Sequence, residues 1–82
     1  MRLLATYLSS HAVLRAEREL KTAGHAPELI PVPRQIRSSC GFCLLLEGPE
    51  GGAALRATAP EALWRIMEPS PGHPRRRYER EP

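Results

Sequence analysis

The sequence predicts a small α+β domain, with helices laid on one face of a mostly antiparallel sheet. Three observations lead there. The chain has 82 residues, room for one domain and no second core. Short apolar runs and helical spacing follow one another in the order strand, helix, strand, strand, helix, with room for one more strand. No apolar stretch approaches the ~20 residues of a membrane span. A chain of this size buries only about 60% of the surface its unfolded form exposes. Few residues remain to wall a large substrate cleft, which favours a carrier, binding module or accessory subunit over a self-sufficient enzyme.

Taken in order, Leu3-Leu4-Ala5-Thr6-Tyr7-Leu8 is short and apolar and reads as a first strand. Ser9 and Ser10 then offer an N-cap. From His11 to Ala23 the spacing is helical: Ala12, Val13, Ala16, Leu20 and Ala23 form one apolar stripe, and Glu17 stands one turn before Lys21. Gly24 follows the last periodic residue, where a left-handed C-cap belongs. Glu28 to Pro33 reads as a second strand that stops near Ile30 or lies at an edge, because Pro31 and Pro33 have no N–H for a ladder. Pro33 to Ser39 is a stiff loop, and Gly41 or Phe42 through Leu46 is a third strand, continuously apolar and so buried on both faces or beneath a helix. Gly48-Pro49-Glu50-Gly51-Gly52 reads as a loop. Thr58-Ala59-Pro60-Glu61 has the form of a capping box opening a second helix, Pro60 to about Glu68, that carries Leu63, Trp64, Ile66 and Met67. Pro69, Pro71 and Pro74 end it. Residues 1–68 thus form the expected domain, and 69–82 a Pro- and Arg-rich tail that is either a short final strand around Tyr78 or a frayed end. The order βαββα(β) suits a ferredoxin-like two-layer sandwich.

Composition narrows the function classes. The net charge of +3 is mild, every basic residue except Lys21 is arginine, and there is no Asp. Met1-Arg2-Leu3-Leu4-Ala5 begins like an export signal, but the apolar run stops at Ser9-Ser10-His11, and no signal peptide is expected. Two cysteines make no disulfide framework, and the expectation is a cytoplasmic protein with reduced thiols. Carboxylates occur singly, without the pairing or triads of hydrolases, and no phosphate-binding glycine loop is present.

The segment with chemical character is Ser38-Ser39-Cys40-Gly41-Phe42-Cys43, which holds both cysteines. Arg34 and Arg37 lie just upstream, and no carboxylate occurs between Glu28 and Glu47. A thiol in such a positive field is stabilised as thiolate, the form that attacks, binds metal or carries sulfur. Gly41 leaves one side of Cys40 unshielded, and Ser38, Ser39 and local backbone N–H groups are candidate donors to a sulfur anion. The expectation is an accessible sulfur on a loop.

Beside this local reading, Tyr7-Leu8-Ser9-Ser10-His11-Ala12, the helix from Ala16 to Gly24, Leu29-Ile30-Pro31-Val32-Pro33-Arg34-Gln35-Ile36 and Ser38-Ser39-Cys40-Gly41 together resemble the selenium/sulfur (Se/S) carrier protein-like family of small bacterial proteins. The similarity runs from about Leu3 to Leu46. The resemblance implies a small domain that handles sulfur or selenium through Cys40, and it carries over to Pro31, Pro33, Arg34, Ser38, Ser39, Cys40 and Gly41. Cys43 falls where such sequences commonly have an apolar residue, and beyond Gly48 the similarity fades.

The function expected is therefore a sulfur or selenium carrier. Cys40 transiently holds persulfide or selenide, Arg34, Arg37, Ser38, Ser39 and Gly41 tune or position it, and a donor or acceptor protein is the partner. Cys43 is either a core residue or a resolving thiol. The alternatives are a non-catalytic accessory module that binds protein or nucleic acid, and thiol redox chemistry between Cys40 and Cys43. In a strand, however, those two positions point to opposite faces. No cofactor and no metal are expected, since one Cys-x-x-Cys pair with His11, His25 and His73 scattered elsewhere lacks ligand spacing. Nucleic acid is not the expected partner despite Arg75, Arg76, Arg77 and Arg80, because Glu79 and Glu81 interleave them. No membrane association is expected, and a homodimer through the Pro31–Pro33 edge or the last helix is open.

Overall fold

The computed structural model describes residues 2–82. Five strands and two helices follow in the order β1 (Arg2–Thr6), α1 (Ser10–Thr22), β2 (Glu28–Pro31), β3 (Phe42–Glu47), α2 (Gly51–Arg56), β4 (Ala62–Met67) and β5 (Arg77–Arg80). The strands form one sheet in the order β2-β3-β1-β4-β5, with every neighbouring pair antiparallel. The molecule is a small α+β domain.

The first half forms as its sequence dictates. Ser9 is the N-cap of α1: its backbone is extended, and its Oγ accepts the Ala12 N–H at 3.1 Å. Val13, Ala16 and Leu20 are the buried stripe of this helix. Glu17 and Lys21 pair at 3.4 Å. Gly24, at φ 92, adopts the left-handed conformation past the helix end. β2 ends at Pro31 and lies at the sheet edge, where a missing N–H costs no ladder bond.

The second half differs from expectation in two elements. Gly48–Gly52 is not all loop, because α2 begins at Gly51. Gly52 lets the helix lie close to the sheet: a Cβ there would stand 3.3 Å from Leu3 Cδ1, whereas one on Gly51 would make an ordinary contact with the Leu46 carbonyl oxygen at 3.5 Å. The expected helix at Pro60–Glu68 is the strand β4. Leu63 and Ile66, three residues apart, mimic a helical stripe, but they serve two cores on opposite faces of the sheet. Leu63 packs with Leu3, Ala5, Tyr7, Leu44, Leu46 and Leu55 under the helices. Ile66 packs with Leu4, Ile36, Cys43 and Leu45 on the other face. The capping-box residues are used otherwise. Thr58 is buried and its hydroxyl donates to the Leu55 carbonyl at 2.6 Å, while the Tyr7 hydroxyl donates to Thr58 Oγ1 at 2.7 Å. Burial raises the pKa of Tyr7, partly offset by this hydrogen bond.

Both helices contribute to the same core cluster and so cover one face. The opposite face carries no helix. It is closed by Ile36 from the β2–β3 loop and flanked by Ile30, Val32, Trp64 and Tyr78. At its far edge Arg80 lies 6.0 Å from the Trp64 ring centroid, and Arg2 and Arg76 share the Glu68 carboxylate. No helix among the described residues is long and apolar enough to cross a membrane.

Candidate functional site

The β2–β3 loop brings Cys40 against the helix-bearing face of the sheet. Val32 N–H donates to the Gly41 carbonyl at 3.0 Å, extending the β2–β3 pairing by one step and fixing where the loop returns. Cys40 then joins the core cluster beneath α1 and is only 4% exposed. This overturns the expectation of a reachable sulfur at a loop tip. The loop does not project; its end folds under the first turn of the helix.

The surroundings of the sulfur are polar on one side. Phe42 N–H donates to Cys40 Sγ at 3.4 Å, and Ser10 Oγ stands 4.0 Å from it. Ser10 is the first residue of α1, so the sulfur sits at the positive end of a 13-residue helix. The backbone donor expected near the sulfur is present as Phe42 N–H. The serine beside it is Ser10, which the sequence marks only as a capping residue.

Ser38 has a different task. Its Oγ accepts the Cys40 N–H at 3.3 Å and lies 3.2 Å from the Tyr7 carbonyl and 3.1 Å from Glu61 Oε1, the two acceptors for its one proton. Ser38 thereby ties the Cys40 backbone to the end of β1 and the start of β4. Glu61 is a carboxylate that sequence reasoning missed, since it lies 21 positions downstream of Cys40 and arrives only through the β1–β4 pairing. Ser39 and Gly41 are exposed, and a Cβ on Gly41 would meet nothing within 4 Å. Arg34 and Arg37 are exposed too, with no ion pair among the described residues. They contribute to the field around the loop without touching the sulfur.

Cys43 lies on the other side of the sheet, in the cluster of Leu4, Ile36, Leu45 and Ile66, and is fully buried. Its Sγ donates toward the carbonyls of Ile30 at 3.6 Å and Pro31 at 3.8 Å. Burial, with a smaller contribution from the neighbouring Cys40, pushes its pKa from the ordinary 9.0 to about 12. Both cysteines are free. A thiol so strongly held in its neutral form is a poor nucleophile at neutral pH. His11 is exposed on α1, His25 is partly buried past its end, and His73 lies in the Ser70–His73 bridge. Among the described residues, no three His, Cys or Glu side chains gather as a metal site would require.

The sequence profile of the family described as "Putative Se/S carrier protein-like" matches residues 2–62. The chain belongs to this family. The match spans β1 to the first residue of β4 and includes Ser10, Ser38, Cys40, Gly41 and Glu61. β5 and nearly all of β4 lie outside it. No curated protein and no solved structure matches the chain. The Se/S carrier-like family resemblance thus covers every residue that contacts Cys40 through a hydrogen bond.

Proposed function

We propose that this protein is a sulfur or selenium carrier that holds the atom on Cys40 and passes it between partner proteins. One observation carries the reading: the Cys40 sulfur accepts a backbone N–H beside the N-terminus of α1, with Ser10 next to it. An added sulfur places negative charge on the outer atom of a persulfide, and donors and a helix N-terminus on that side stabilise it. In the loading step, the Cys40 thiolate attacks the outer sulfur of a donor persulfide. The donor's S–S bond breaks, its thiolate leaves, and Cys40 keeps a persulfide; no net oxidation occurs. Unloading is the same exchange in reverse toward an acceptor thiol. Because the sulfur is nearly covered, the Ser38–Gly41 segment must swing for either step, and Gly41 faces open space. Arg34 and Arg37 act at a distance, by attracting an anionic partner or donor.

The test is intact-protein mass spectrometry after incubation with a cysteine desulfurase and L-cysteine. The expected result is a mass gain of one sulfur atom, kept in Cys43→Ala and absent in Cys40→Ala. No adduct on the wild-type chain under any loading condition rejects the proposal.

A second reading rests on the burial of Cys40 itself. In it Cys40 is a packing residue between α1 and the sheet, and the protein is a non-catalytic accessory module. It requires that Cys40→Ala lower stability by roughly 1–2 kcal/mol through a small cavity while partner binding persists. We also propose that the interleaved order β2-β3-β1-β4, with both helices on one face, is a ferredoxin-like sandwich extended by β5. NMR contacts between β1 and both β3 and β4 check that order.

A further inference from the structure

The side chains around Cys40 are not like the rest of the surface. Four large apolar side chains are exposed among the described residues: Leu8 at 68%, Leu14 at 49%, Phe42 at 47% and Leu29 at 36%. Leu14, Leu29 and Phe42 gather at the β2 edge, with Leu8 at the margin. Leu29 pairs with Leu44, which belongs to the core under the helices, so Leu29 projects to that same face. Phe42, two residues before Leu44 in β3, projects there too. On α1, Ser10, Leu14, Glu17 and Lys21 share one side at 100° per residue. The other side of α1 faces α2, since Glu19, Leu20 and Ala23 line a groove with Ala54, Ala57 and Thr58. The Leu14 side therefore faces β2. Leu8 follows Tyr7, whose carbonyl is held by Ser38. The four flank the segment that carries Cys40.

What covers this patch is narrowed by charge and by the strand edge. Arg18, Arg34 and Arg37 are exposed around it and make no ion pair among the described residues. Glu17 is paired with Lys21, which leaves Glu28, and Glu61 held by Ser38, as the nearby acids without an ion pair. A second copy docked face to face would set one net-positive patch against another. Strand addition is also poor here. Val32 N–H points to β3, so by alternation the outward positions of β2 are Leu29 and Pro31, and Pro31 has no N–H to offer.

We infer that Leu14, Leu29 and Phe42, with Leu8 at the margin, form the docking surface for a protein partner that presents an apolar patch ringed by carboxylates. Cys40 exchanges its sulfur at the centre of that interface, where docking draws the Ser38–Gly41 segment out from beneath α1. This inference rests on the carrier reading.

The test compares two sulfur donors on the intact chain: a purified cysteine desulfurase with L-cysteine, which must dock, and inorganic polysulfide, which need not. With polysulfide the Cys40 thiolate takes one sulfane sulfur and a shorter polysulfide leaves. Loading is followed by mass spectrometry in wild type, Leu14→Glu, Leu29→Glu and Arg18→Glu, with thermal melts to verify folding. The expected result is that enzyme-dependent loading falls roughly tenfold in each leucine variant and severalfold in Arg18→Glu, while polysulfide loading stays the same. Enzymatic loading unchanged in the variants, or wild type loaded by polysulfide but not by the enzyme, overturns the docking surface and leaves Cys40 as a sulfur acceptor. No adduct from either donor overturns the carrier reading and this inference with it. A concentration-dependent dimer in sedimentation that Leu29→Glu abolishes assigns the patch to a second copy and overturns the acidic partner.

Discussion

Cys40 and Cys43 stand three residues apart and are both buried, yet they belong to different regions with different physics. Cys43 is locked in a central strand, between β2 and β1, with apolar neighbours on its side of the sheet. Cys40 lies just outside the ladder, under a helix terminus, held by a serine hydroxyl and a backbone N–H. To uncover Cys43 the sheet must open. Cys40 lies in the segment Ser38 to Gly41, outside every strand, so exposing it does not require the sheet to open. The two burials therefore differ in how much structure must break to expose each thiol.

The strongest way to break that comparison is to force a charge onto each sulfur position. Cys43→Asp is expected to cost about 4 kcal/mol or more and to prevent folding, because a carboxylate there has no partner. Cys40→Asp is expected to fold with a clearly smaller loss, since its segment can turn the carboxylate outward. Equal losses in urea titrations erase the distinction.

pH gives the next largest effect. The folded-state pKa of Cys43 is raised, so the native state holds its proton more tightly than the unfolded chain. Stability is then complete below pH 9.0 and falls as pH rises toward about 12, by at most about 4 kcal/mol. Tyr7, raised in the same direction, adds to the loss above pH 10.0. Circular dichroism melts across this range are expected to show the decline begin later in Cys43→Ala; an identical onset removes Cys43 as its source.

Alkylation kinetics sharpen the contrast under native conditions. N-ethylmaleimide is expected to modify Cys40 well before Cys43. Glu61→Gln and Ser38→Ala are expected to speed Cys40 modification severalfold, with stability losses near 1 kcal/mol, because they loosen the ties to β1 and β4. No change in either variant means that those hydrogen bonds do not hold the Ser38–Gly41 segment. The smallest effect belongs to Gly41→Ala. Its backbone is not left-handed and its Cβ meets only open space, so stability is expected to change by less than about 1 kcal/mol while enzymatic loading slows. Loading at the wild-type rate implies that no partner approaches from that side.

How far the sequence could be read depended on the range of the forces involved. The Ser9 cap, the α1 stripe, the left-handed Gly24 and the proline-ended β2 were legible, because each is fixed by sterics and hydrogen bonds within a few residues. β4 was not, because Leu63 and Ile66 at spacing three fit a helix as well as a strand buried on both faces. α2 was hidden by Gly51 and Gly52, poor helix formers, of which Gly52 sits where a Cβ would crowd Leu3. Cys40 itself was visible from its neighbours, whereas its burial was not, since that depends on α1 lying over the end of the loop.

The amino-acid order by itself determined a small α+β chain with a distinctive cysteine between a proline-rich edge and an apolar strand, because local backbone preferences and apolar runs are written residue by residue. Only the tertiary structure decided that Ser10 stands by the sulfur, that Glu61 reaches Ser38, and that the two cysteines serve opposite faces. Those contacts join residues 23 to 30 positions apart or sort neighbours by the pleat of the sheet. They exist only once strand register is set, and register is a property of the whole sheet rather than of any one segment.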